Sequence, residues 1–276
     1  MIRVAWSVAL AGLLAQSLPA DADQGRAALL DHLGGQGCVI GPATRPAALK
    51  AGFSAAALDA LADEAVASGQ GEVQRDWLVL APALCTIRPS QITPALRLDD
   101  PDVRRHFSAR DAHAADDAPG CFLDSANLMR ETRITRGWSA DIANAEYMRL
   151  VGAGLISGEM TFYSDTPLAT PVGFALLTGD CADIPDIGAI RQDHALLIDR
   201  FDPLVRAMGR ETVCEKGGTP DIFEVEKALA AMPGDKTSNA WQWLEILMIA
   251  MASDWYEGGS ATEKGTPHPP FCHFEY

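Results

Sequence analysis

Six cysteines, Cys38, Cys85, Cys121, Cys181, Cys214 and Cys272, constrain this chain more than any other feature. None lies in a Cys-x-x-Cys pair, and an even set in a chain that carries an export signal reads as three disulfides rather than a redox or zinc site. Six cysteines allow many pairings, and a recurrence narrows them. "QGCVIGPATRPAALKAGFSA" (36–55) is echoed by "PGCFLDSANLMRETRITRGWSA" (119–140): Gly-Cys, two apolar residues, a mixed stretch, then Gly-aromatic-Ser-Ala. If Gly-Cys opens a unit and the next cysteine closes it, the pairs are Cys38 with Cys85 and Cys121 with Cys181, leaving Cys214 for Cys272. The alternative joins Cys181 to Cys214 and Cys121 to Cys272.

The export signal is at the start. Arg3 gives a short positive region, Val4 to Leu14 an apolar run, and Ala20-Asp21-Ala22 a small-residue cleavage site, which predicts a signal peptide over 1–22 removed before Asp23. The apolar run is shorter than the ~20 residues of a spanning helix. The next most apolar window, "AWQWLEILMIAMASDWY", is interrupted by Gln242, Glu245 and Asp254, so no transmembrane anchor is expected after cleavage.

Within the first unit, 23–98, Ser54 is the expected N-cap of a helix whose apolar face is Leu58, Leu61 and Ala65 and whose stop is Gly69. A short extended pair follows, with Trp77 to Leu80 as its apolar strand. Residues 99–118 read as a crossover linker holding one short helix started by Asp100-Pro101. The second unit, 119–182, repeats the plan: Ser139 caps a helix, Gly158-Glu159 leaves it, and two extended segments reach Cys181. "GAGLISG" (152–158) opens with Gly-x-Gly, but it ends a helix and reads as termination, not a dinucleotide loop. The C-terminal region, 183–276, reads as helical. A helix from Ile184 to Arg210 breaks near Asp202-Pro203, with Ile190, Leu197, Phe201, Leu204 and Met208 inside. Two further helices start at Thr219-Pro220 and Ser238, and no strand pair is evident. The expected fold is mainly α with short β-hairpins (α+β), built of disulfide-stapled helical units.

Helix, helix, longer helix and two-stranded wing is an order similar to that of winged-helix domains, and the first unit is winged-helix-like in this sense alone. A DNA-reading winged helix needs basic residues on its third helix; here that helix offers Asp59, Asp63 and Glu64 and no Lys or Arg. The net charge of −15 is concentrated in the C-terminal half, where residues 138–276 hold 9 basic against 21 acidic side chains. Such a chain repels nucleic acid and anionic lipid, so neither is expected as a partner.

No nucleophile elbow, His-Glu-x-x-His, phosphate loop or EF-hand pattern is present, and no cofactor is expected. Three weaker constellations carry the candidate chemistry. "HPPFCH" places His268, Cys272 and His273 together as possible metal ligands, provided that Cys272 is reduced. "RDAHAADD" offers Asp111, His113, Asp116 and Asp117 as hard ligands on an acidic loop. "RQDHALLIDR" puts Asp193, His194 and Asp199 on one helix, where neighbours point about 100° apart, so His194 is a core histidine or a general base lacking an identified partner. The expectation is therefore an exported, periplasmic or secreted, non-catalytic protein that binds an unknown protein or small ligand; the alternative is an exported hydrolase without a recognisable motif.

Overall fold

In the computed structural model, which describes residues 19–108, 120–163, 173–183, 187–216 and 240–275, the cysteines pair in chain order. Cys38 bonds Cys85, Cys121 bonds Cys181 and Cys214 bonds Cys272, across separations of 47, 60 and 58 residues. No helix among the described residues is long and apolar enough to cross a membrane. With three disulfides this fits an oxidising compartment.

The first unit begins with α1 (Pro19–Gly35), then β1 (Val39–Ile40), α2 (Thr44–Lys50), α3 (Ala55–Ala67), β2 (Gly71–Gln74) and β3 (Trp77–Leu80). The three-helix order expected a first helix without giving it bounds, and α1 supplies it; Leu29 and Leu33, one turn apart and buried, form its inner face. Ser54 caps α3 by accepting from Ala57 N at 3.1 Å, and Leu58, Leu61 and Ala65 are its buried face. Gly69, at φ +70°, ends it in the left-handed conformation that glycine adopts without strain. The three strands are antiparallel in the order β1-β3-β2.

The second unit follows α4 (Pro101–Arg104) and β4 (Phe107–Ser108). It comprises β5 (Phe122–Leu123), α5 (Ser125–Thr135), α6 (Ala140–Ser157), β6 (Met160–Tyr163) and β7 (Gly173–Leu176), in a sheet of order β4-β5-β7-β6. Ser139 caps α6 by accepting from Ile142 N at 3.2 Å. In both units the strand after Gly-Cys pairs with the last strand of the hairpin.

The hydrogen bonds recur position by position. Leu80 N donates to Cys38 O at 2.9 Å and Leu176 N to Cys121 O at 2.8 Å. At the helix exit Gln70 N donates to Ala65 O and Glu159 N to Gly154 O; at the closing strand Ala81 N donates to Gln70 O and Leu177 N to Glu159 O.

Beyond them lie α7 (Ile187–Asp199) and α8 (Phe201–Glu211), with Leu197, Phe201, Leu204 and Met208 buried as their spacing predicts. The break falls at Arg200, and Pro203 sits in the first turn of α8, where its missing N–H leaves no bond unmade. The third disulfide spans a 3₁₀ turn (Cys214–Lys216), α9 (Ala240–Ala252), β8 (Tyr256–Glu257) and β9 (Thr266–Pro267). A strand pair is thus present where the sequence reading saw none. Polar Glu257 and Thr266 and a proline in β9 hide it from any alternation test. The expected helix from Thr219-Pro220 lies outside the described residues. Trp255 N donates to Ala250 O and His268 N to Trp255 O, the same exit and closing bonds as in the first two units.

One buried apolar cluster runs through all three stretches, from Leu33 and Leu58 through Val151 and Leu155 to Trp255 and Phe271. Helices α6 and α9 approach closely, since a Cβ on Gly152 would lie 2.3 Å from that of Ala252.

Candidate ligand-binding groove

A cavity of about 640 Å³ opens where the β2–β3 hairpin of the first unit meets α8 and the C-terminal segment Pro270–His273. Arg206 fixes these parts to one another. Its guanidinium donates to Leu80 O and Cys85 O, each at 2.9 Å, and to the Asp202 carboxylate one turn back at 3.0 Å. Gly209 lets the C-terminal segment close in, because a Cβ there would stand 1.9 Å from Pro270 O. Next in sequence to Gln74, Arg75 pairs with Glu215 and lies 4.5 Å above the Phe274 ring.

Four side chains give the groove its chemistry. Glu72 and Gln74 stand two residues apart on β2, and Glu72 accepts from Gln74 Nε2 at 3.1 Å. Gln74 is 8% exposed and its carboxamide oxygen has no hydrogen-bond partner, a cost a buried acceptor rarely bears. Arg210 is exposed at the end of α8, with no side-chain partner among the described residues. His273 Nδ1 lies 2.9 Å from Gly209 O. A carbonyl only accepts, so Nδ1 carries the proton and Nε2 is the basic nitrogen of the neutral ring. Among the described residues the lining has no Ser, Thr or Tyr hydroxyl, and its cysteine, Cys272, is in a disulfide. The groove therefore holds, among the described residues, a cation, an anion and hydrogen-bonding groups, without a hydroxyl or free thiol nucleophile.

A second cavity, of about 730 Å³, lies beside the second hairpin. It is lined by Gly154, Glu159, Leu176 and Thr178 on one side and by residues from 92–99, where the first unit ends, and Arg104 on the other.

Of the candidate site residues singled out from sequence, His273 and the disulfide-bonded Cys272 line the first groove. His268 is buried, stacked on Trp77 with ring centroids 4.5 Å apart, and its Nδ1 lies 2.6 Å from Pro269 O; burial holds its pKa below the usual histidine value. Cys272 is oxidised, which removes the thiolate that the His268–Cys272–His273 reading required. His194 is half-buried on α7 with its Nε2 against Gly158, where a Cβ would come within 2.9 Å, and burial lowers its pKa. Asp199 is exposed at the end of the same helix, five residues on and off the His194 face. Asp111 and His113, with Asp116 and Asp117, lie outside the described residues. No group of three or more His, Cys, Asp or Glu side chains among the described residues is arranged to hold a metal ion.

Sequence reasoning missed Glu72, Gln74, Arg210 and the Arg206–Asp202 pair. A signal existed for two of these features: polar Gln70, Glu72 and Gln74 alternate with Gly71 and Val73, and Asp202 stands four residues before Arg206. It also passed over Glu245, which lies inside the molecule on α9. Its carboxylate accepts from Thr161 Oγ1 at 2.9 Å and Phe162 N at 3.1 Å, while burial, with a smaller push from Asp193, raises its pKa to about 7.

Compared with known proteins, the chain matches no family model, no curated protein and no solved structure.

Proposed function

We propose that this is an exported, non-catalytic envelope protein, periplasmic or secreted, that binds a short peptide-like ligand in the groove between its first hairpin and its C-terminal segment. One observation carries the reading: an unpaired guanidinium (Arg210) and a carboxylate (Glu72) line one concave site with a buried, half-satisfied carboxamide (Gln74). A peptide carboxylate suits Arg210, because a planar guanidinium binds it through paired N–H donors, and peptide N–H groups suit Glu72 and Gln74. The volume falls in the range of small-molecule sites, about 300–1,000 Å³. Export is supported by the leader-like start and the three disulfides, and the order α1, β1, α2, α3 and wing supports a winged-helix-like first unit. Its third helix is a poor DNA reader, since Asp59 pairs with Arg45 at 2.5 Å and Glu64 with Arg26 at 2.7 Å.

The test is a titration of the ¹⁵N-labelled full chain with acetyl-Ala-Ala-Ala bearing a free C-terminal carboxylate, against the same peptide capped as an amide. Saturable shifts at Glu72, Gln74, Arg210 and His273 with the carboxylate are expected. Arg210→Glu weakens binding about tenfold or more, as loss of a charge-assisted hydrogen bond does. No shift in this set at millimolar peptide overturns the reading.

A second reading has one observation behind it: His273 presents a basic Nε2 in the same groove as Glu72, the pair a water-activating hydrolase requires. Mass spectrometry of the same peptides after prolonged incubation separates the two, since cleavage that His273→Ala abolishes establishes the hydrolase and intact peptide excludes it.

A further inference from the structure

We infer that the second groove is a second binding site of the same ligand class, placed there because the first two units are copies of one plan. The inference rests on the peptide-binding reading of the first groove. Its own support is positional. In each unit the helix leaves through one residue whose N–H caps the helix and whose C=O receives the closing strand: Gln70 in the first unit, Glu159 in the second. Both residues line their unit's groove, as do the equivalent closing-strand residues Leu80 and Leu176. In each unit that strand residue stands five residues before the closing cysteine, Cys85 or Cys181.

Each groove also holds charge of both signs, though not at matching positions. The first is lined by Glu72 of the hairpin and Arg210 of α8; the second by Glu159, which corresponds to Gln70 and not to Glu72, by Arg104 of α4, and by Arg97 and Asp99, which pair with each other at 3.0 Å. The apolar floor of the second is Leu96, Leu150 and Leu176, and Thr178 adds a hydroxyl. A carboxylate for the arginine and N–H donors for the acid are again what the lining selects. The third unit shows why the position is not open everywhere. Pro267 again stands five residues before the closing cysteine, and the next residue, His268, is buried beneath the Trp77 ring of the first hairpin.

The same titration with acetyl-Ala-Ala-Ala, extended to calorimetry, decides it. Two separable sets of shifts are expected, one at Glu72, Gln74, Arg210 and His273 and one at Leu96, Arg104, Glu159 and Thr178, with two peptides bound per chain. Arg210→Glu should weaken binding at the first set about tenfold or more and keep the second; Arg104→Glu should do the reverse, each variant leaving one peptide bound per chain at the concentration that saturates the intact site. Movement of the first set alone, with one peptide bound, overturns the second site while the first reading stands. Movement of the second set alone overturns the first reading and keeps this site. Neither set moving overturns both.

Discussion

Arg206 is the residue on which the candidate groove depends most. Its side chain is 12% exposed and that of Asp202 14%, so this is a largely but not fully buried pair that also satisfies two carbonyls and, through Asp202, the N–H of Ile87 at 2.7 Å. Arg206→Ala should cost about 3–5 kcal/mol, because it strands a buried carboxylate and two carbonyls; a fall in the denaturant midpoint at unchanged slope is the expected readout. Glu245 gives a pH signature. Its pKa is raised from 4.5 to about 7, so the folded state holds a proton that the unfolded chain has released. Its contribution is fully present below pH 4.5, is lost as pH rises to 7, and amounts to roughly 3 kcal/mol on the linkage relation. Glu245→Gln, which keeps the acceptor for Thr161 and Phe162, should flatten that slope and stabilise the protein above pH 7 in urea titrations. At this scale the sequence spoke poorly. A lone Glu in an apolar helix reads as an interruption until its partners on β6 are known, and Arg210 is one exposed arginine among many.

Elements with punctuation at both ends were legible. Ser54 and Gly69, then Ser139 and Gly158, bound α3 and α6 as their residue types require, and the buried Leu58-Leu61-Ala65 face follows from the helical period. Elements two residues long were not. β1 and β5 exist because a distant strand pairs with them, and β8 and β9 because they pair with each other across residues 258–265; two residues carry no alternation that encodes either. Helix α1 was counted but given no bounds because Ala, Asp and Gly outnumber its few leucines, so its stripe is narrow. Close approach of α6 and α9 is likewise written in single small residues. Gly152→Ala puts a methyl 2.3 Å from the Ala252 Cβ, so the helices must part. The expected cost is about 1–3 kcal/mol, measured as a lower melting temperature. Ala252→Gly in the same chain should restore part of it.

The three disulfides invite a picture of three separately stapled bodies, but the packing points to one cooperative whole. The buried cluster passes from α1 and α3 through α6 to Trp255 and Phe271 without a gap. Trp77 of the first hairpin lies on His268 of the last, Arg206 holds α8 to the first disulfide, and Gly152 seats α6 on α9. Each unit alone is too small to bury much apolar area, so its surface is completed by its neighbours. Replacing Cys38 and Cys85 together by Ala frees a 47-residue loop in the unfolded chain and, on the chain-entropy estimate, costs about 4 kcal/mol. If the units were independent, that loss would appear as an early transition confined to residues 23–98, with the other two melting unchanged. A shared core requires the opposite: one transition, moved to lower temperature, with hydrogen-exchange protection falling together at Leu58, Leu155 and Phe271. Calorimetric and van't Hoff enthalpies that agree, in the wild type and in the double variant, are the expected result. A separate low-temperature peak in the variant, with Leu155 and Phe271 still protected, would show that the staples and not the core set the folding units.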